Sequence, residues 1–183
     1  MSKLKPKTIS FKDFKDFTPN LTPYQMFKKG SFCGQYWRPI YSSVNKKKYK
    51  NQYKEFDWGD IPVDYLASEE CDKKKNKYKV NSGTSLEYWE SNGWIKPNDP
   101  YGAVQWYCRF YNGRRGEDDE WQIKRWEGIA GPNGRFRKRL IKMIKEKGTT
   151  YDDYSVSPKI RQLLLHWYYE LTEEDYKNGV KNL

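Results

Sequence analysis

The chain has 183 residues, with 35 Lys and Arg against 24 Asp and Glu, a net charge of +11 and 36% hydrophobic residues. That length suffices for one domain with a proper core, but few aliphatics are available, so the core must draw on 8 Trp, 16 Tyr and 8 Phe. No run approaches the roughly 20 apolar residues of a membrane span, so no membrane partner is expected. Met1-Ser2-Lys3-Leu4-Lys5-Pro6-Lys7 lacks the apolar stretch of a secretion signal. Cys33, Cys71 and Cys108 are odd in number and widely spaced, which predicts neither a metal or redox motif nor a disulfide framework, and points to a reducing compartment. The protein is therefore expected to be soluble and intracellular, with no metal and no cofactor. Excess positive charge leaves two readings open, a solvated surface or a polyanionic partner.

Residues 1–17 read as a Lys-rich arm with scattered Phe, ordered only if docked, and residues 18–183 as a single domain. Thr22-Pro23-Tyr24-Gln25 opens a helix: Thr22 caps, Pro23 suits the first turn, Gln25 completes a capping box, and Leu21 and Met26 form a staple. Gly30 stops it. Ser31 to Ile40 alternates weakly and reads as a short strand or extended loop, Lys46-Lys47-Lys48 and Lys73-Lys74-Lys75 as exposed loop tips, and Lys77 to Val80 as another short strand. Residues 18–83 form the irregular, weakly α+β part.

From residue 84 the punctuation predicts a compact multi-helix unit, so the fold class is mainly α. Thr84 and Glu87 make a capping box closed by Gly93, Asp99-Pro100 opens a helix to Gly113, and Asp118 opens one ended by Gly128. Arg135 to Lys147 is stopped by Gly148, Ser157-Pro158 opens a helix through about Glu170, and Thr172 with Asp175 caps the last.

The densest chemistry lies in residues 101–126, which hold seven aromatics and four arginines. Eight of nine arginines follow residue 100, as if a planar, bidentate cation is wanted there. In the helix over 100–113, Val104, Tyr107, Cys108 and Tyr111 share a core stripe, while Gln105, Arg109 and Asn112 form a polar ridge bordered by Trp106 and Phe110. Such a ridge can read a base edge while rings stack on its face, or it can simply face water. Arg114 and Arg115 can grip phosphate, or they can be neutralised by the following Glu117, Asp118, Asp119 and Glu120. Asp118, Gln122 and Arg125 share a face of the next helix. In Arg135–Lys147, seven cations face one acid; Phe136, Leu140, Met143 and Ile144 form its core stripe, leaving a basic ridge with Arg135, Lys138, Arg139 and Lys142 for phosphate contact. His166, the only histidine, reads as a partly buried structural residue rather than a catalytic one.

Gln105-Trp106-Tyr107-Cys108-Arg109-Phe110-Tyr111, Gly113-Arg114-Arg115, Asp118-Asp119, Gln122-Ile123 and Arg125-Trp126 together resemble the motif of an uncharacterised family of small proteins from bacteria, fungi, algae and large DNA viruses. The likeness extends through Pro19–Pro23, Gly30–Phe32, Leu86–Glu90, Gly93–Ile95, Asp99–Gly102, Arg161-Gln162 and His166-Trp167, and the composition fits a viral member. Ala103-Val104 stand where that pattern carries Trp-Phe. The resemblance implies membership and no activity. Three functions fit the residues. One is nucleic-acid binding, DNA before RNA, through Gln105, Arg109, Arg114, Arg115, Arg125, Arg135, Lys138, Arg139 and Lys142. The second is an enzyme acting on a nucleotide or base, with Gln105, Arg109, Arg114, Asp118 and His166 in one pocket. The third is a virion or packaging component.

Overall fold

The computed structural model describes residues 5–183; Met1 to Leu4, the start of the expected arm, lie outside them. Helices dominate the regular structure: α1 (Pro23–Lys29), α2 (Leu86–Ser91), α3 (Ala103–Tyr111), α4 (Asp119–Ala130), α5 (Arg135–Lys147), α6 (Pro158–Leu165) and α7 (Glu173–Lys181). One antiparallel hairpin of β1 (Ile40–Ser42) and β2 (Lys47–Tyr49) accompanies them, with Tyr41 opposite Lys48.

Where capping chemistry is local, the helices begin and end as predicted. Thr22 and Gln25 exchange the two hydrogen bonds of a capping box, Gly148 closes α5, and Thr172 accepts from the Asp175 amide. Four boundaries move. The cap of α2 is Ser85 rather than Thr84, whose hydroxyl accepts instead from Trp89 Nε1. Gly102, at φ +100°, caps α3 because the Asp99 carboxylate is diverted to arginines. Asp118 caps nothing with its side chain, and α4 runs past Gly128 to Ala130. Helix α6 ends at Leu165, short of Glu170, because Tyr168 takes a left-handed conformation at φ +63°.

Helix α3 is the axis of the core. Residues Val104 to Cys108 and Phe110 are all buried; of the expected polar ridge Gln105 lies in the core, Arg109 is half-buried and Asn112 exposed, while the bordering rings Trp106 and Phe110 are covered. The cover comes from the N-terminal segment: Phe17 is fully buried and lies against Trp106, Tyr107, Phe110, Trp126 and Tyr168, with Phe11 and Phe14 edge-on to Phe110. An aromatic core must also satisfy its polar tips. Here Tyr107 Oη donates to the Leu21 carbonyl, Tyr168 Oη to that of Ala103 and Trp126 Nε1 to that of Trp167, at 2.6, 2.6 and 2.8 Å. Each bond joins segments distant in sequence, so the rings fix the topology as well as filling it.

The segment between α1 and α2 is mostly turns. Lys47 and Lys48 belong to β2 rather than to a loop tip, and residues 73–75 form a single 3-10 turn in which Lys75 meets Asp64. No strand forms over 77–80, because Asn76 holds that segment through its side chain, accepting from the Cys33 amide and donating to the Val80 carbonyl. Cys33 and Cys71 are joined in a disulfide, contrary to the expectation from their spacing. It bridges 38 residues of a segment with little regular structure, and it removes cysteine usage as an argument for a reducing compartment. Gly30 (φ +108°) passes so close to this segment that a Cβ there would lie 2.1 Å from the Lys75 carbonyl oxygen.

Candidate functional site

A cleft of about 990 Å³ opens between α2, α4, α5, α6 and the turn at Phe32. Its walls follow from helical spacing. Helix α4 offers Lys124, Arg125, Gly128 and Ile129, two neighbouring pairs one turn apart, and α5 offers Arg135, Phe136, Arg139 and Met143. Helix α6 adds Lys159, Ile160 and Leu163, and the chain beyond it His166 and Trp167. Trp89, Trp94 and Ile95 close the side toward α2, and Ala103 and Val104 line the wall near Tyr36. Phe136 and Met143, expected in the core, are only half-buried because they face this space.

The charge in the cleft is one-sided. Lys124, Arg125, Arg135, Arg139 and Lys159 line it, no Asp or Glu does, and among the described residues none of the five forms an ion pair. Arg125 is the least comfortable of them. Its guanidinium lies among the rings of Trp121, Trp167 and Trp94, 4.6, 5.1 and 5.6 Å from their centroids. Among the described residues its hydrogen bonds go to uncharged oxygens, Gln122 Oε1 at 3.1 Å and the Trp94 carbonyl at 3.4 Å. Burial pulls its pKa below the ordinary guanidinium range, whereas hydrogen bonds to Glu55 raise that of Arg109. A half-buried cation without a counter-ion is costly unless a ligand supplies one.

Beside Arg125 the cleft meets a strained turn. Phe32, Cys33 and Gly34 have φ of 54°, 50° and 83°, and Ser157, also at the cleft, has 42°. Non-glycine residues in such conformations cost about 1–3 kcal/mol each and persist only where the surroundings hold them. The restraints are the disulfide at Cys33, the Asn76 side chain on the Cys33 amide, and His166. His166 Nε2 accepts from the Phe32 amide at 3.0 Å and lies 3.0 Å from Gln162 Nε2, while the Phe32 ring stacks on the imidazole with centroids 3.8 Å apart. Burial lowers the His166 pKa to about 3, so the ring is neutral. With Nε2 accepting, the proton sits on Nδ1, which has no partner among the described residues.

The other arginines of the 101–126 motif are elsewhere and already occupied. Arg109 makes a forked contact with Glu55 at 2.9 and 2.7 Å and donates to Asp99 at 3.0 Å. Arg114 donates twice to Asp99, at 2.8 and 2.6 Å. Arg115 reaches Asp13 at 2.7 Å and covers the Phe110 ring at 3.7 Å. Neutralisation does occur, then, but through Asp99, Glu55 and Asp13 rather than the neighbouring acids. The Asp118 carboxylate accepts from Asn98, and that of Asp119 from Trp106 Nε1 and the Gly116 amide. Gln105 is 1% exposed and accepts from the Tyr101 amide, so it reads no ligand from the surface. The expected single site therefore divides. Arg125, Arg135 and Arg139 share the cleft, whereas Gln105, Arg109, Arg114 and Arg115 do not line it, and Lys138 and Lys142 stand exposed on α5 outside it. Arg137, a fifth cation of the same helix segment, is buried against Tyr169 and Asp175.

The set imagined for catalysis scatters in the same way. His166 lines the cleft; Arg109 and Arg114 border a separate open hollow with Glu55; Gln105 is inside the core. Nothing near Lys124 in sequence marks it, whereas Lys159 and Arg161, beside their helix cap, read as an extension of the basic surface; Lys159 lines the cleft, and Arg161 is instead buried on backbone carbonyls. Among the described residues no group of three or more His, Cys, Asp or Glu side chains is placed to hold a metal ion, and no helix is long and apolar enough to cross a membrane. Compared with family models, curated proteins and solved structures, the chain matches none.

Proposed function

We propose that the protein binds nucleic acid, and that the cleft between α4, α5 and α6 is the surface that does so. The observation that carries this reading is a concave wall bearing five cations and several half-buried rings without a single carboxylate, in a chain whose Arg109, Arg114, Arg115 and Arg137 each meet an acid. Phosphates supply the missing counter-ions, and rings offer faces on which bases stack. The outer face of α5, with Lys138, Lys142 and Lys145 exposed, extends the positive surface beyond the cleft. DNA is the expected partner ahead of RNA, with the protein acting inside a cell or particle.

The test is the salt dependence of binding to a fluorescent oligonucleotide. If about four phosphates are neutralised, the logarithm of affinity falls with a slope near −3 for a single strand, roughly 50-fold between 50 and 200 mM salt. Arg139→Gln should flatten that slope by about 1. Failure to bind DNA or RNA at 50 mM salt ends the proposal.

A further inference from the structure

We propose that the ligand in the cleft is an unpaired stretch of a single strand, its bases against the rings and its phosphates on Arg125, Arg135 and Arg139. This rests on the cleft being a nucleic-acid interface and narrows what that interface accepts.

The arrangement of ring and charge is the first argument. On α5, Arg135 and Arg139 stand one turn apart with Phe136 beside them, so a cation, a ring and a cation line one wall. Across the cleft, Arg125 is set among Trp94, Trp121 and Trp167. A double helix keeps its base faces stacked on one another and offers only edges and phosphates. It would rest on the rim, where a ring-lined hollow has nothing to stack against. A single strand can turn base faces inward and keep its phosphates at the guanidiniums.

Depth is the second argument. The cleft, at about 990 Å³, is at the upper end of the ~300–1,000 Å³ range of ligand pockets, so it holds more than the edge of one base. Among its lining residues is His166, a neutral ring only 5% exposed, with an Nδ1–H donor that no described residue uses. A donor beside a ring-lined space matches the ring nitrogens and carbonyl oxygens of a base edge. Phosphate alone would gain from the cations and leave the rings and this donor unused.

The test uses the full chain and a single strand of roughly 12 nucleotides, within the ~4–16 span of single-strand sites, with 2-aminopurine at its centre. Its duplex, a mononucleotide and inorganic polyphosphate are the comparison ligands. The single strand should bind at least tenfold more tightly than any of the three, with a change in 2-aminopurine emission. Trp94→Leu and Phe136→Leu replace half-buried rings, and each should weaken the single strand roughly five- to hundredfold, the loss of one stacking contact. Their melting temperatures and salt slopes should be preserved. A duplex or polyphosphate that binds as well as the strand overturns the inference and leaves nucleic-acid or polyanion binding standing. So does a mononucleotide that matches the strand, or a pair of folded ring variants with unchanged affinity. Absence of binding by every nucleic acid at low salt removes the broader reading instead.

Discussion

Asp99 carries a load that a substitution can measure. It is 1% exposed and accepts three guanidinium hydrogen bonds, one from Arg109 and two from Arg114. Breaking a buried ion pair from one side costs about 3–5 kcal/mol, because the partner is left desolvated and unmatched. Two features place Asp99→Ala at the lower end. Glu55 still holds Arg109, and the Arg114 side chain is 33% exposed and can recruit water. The expected loss is therefore about 3 kcal/mol. For a chain of this size that is a fall of about 6–12 °C in the melting midpoint, at ~2–4 °C per kcal/mol. The assay is urea unfolding followed by tryptophan fluorescence, with a thermal melt alongside. The Asp99 carboxylate anchors arginines outside the cleft, so oligonucleotide affinity of the folded variant should be unchanged. A loss under 1 kcal/mol, or a large loss of affinity in a fully folded variant, would refute the assignment of Arg109 and Arg114 to structure.

Two further perturbations follow from the restraints beside the cleft. Burial lowers the His166 pKa to about 3 against an unfolded value near 6.5, so between those pH values the unfolded chain binds a proton that the folded chain refuses. Stability from this residue is intact above about pH 6.5 and declines as pH falls toward 3, at up to about 1.4 kcal/mol per pH unit. His166→Gln should flatten the fall in urea-derived stability across that window, and an identical pH profile in the variant would contradict the buried neutral ring. Opening Cys33–Cys71 releases a loop of 38 residues, which by chain entropy lowers stability by about 4 kcal/mol. Denaturant midpoints with and without a thiol reductant measure this, and equal midpoints after full reduction would contradict it.

What the sequence shows in advance divides by range. Helix α1 is readable because Thr22, Pro23 and Gln25 act within one turn, and α5 because Arg135 to Lys147 keeps a helical stripe that Gly148 ends. Asp99 looks like a helix cap for the same reason, being an acid before a proline. Its real partners are set by the fold of the following turn, so Gly102 takes the capping position. The fate of the arginines is a long-range matter: Glu55 lies 54 residues from Arg109, and Asp13 lies 102 from Arg115. No local count of charge separates a paired guanidinium from a free one. The cleft has the same character, since the Phe32 amide meets His166 across 134 residues. Its defining property, cations with no acid among them, exists only once α4, α5 and α6 are packed. The docking of Phe17 likewise depends on the finished surface of α3, and with it the burial of Trp106 and Phe110.

The division of the arginines into structural and ligand-facing sets is tested most directly by one paired comparison. A cleft variant carrying Arg125→Gln, Arg135→Gln and Arg139→Gln and a motif variant carrying Arg115→Gln are titrated against the same oligonucleotide at fixed low salt, each checked by its melting curve. The cleft variant should keep its fold and lose affinity by roughly 50-fold or more, as about three phosphate contacts disappear, while the motif variant keeps its affinity. A motif variant that loses binding while the cleft variant retains it would contradict the account at its centre.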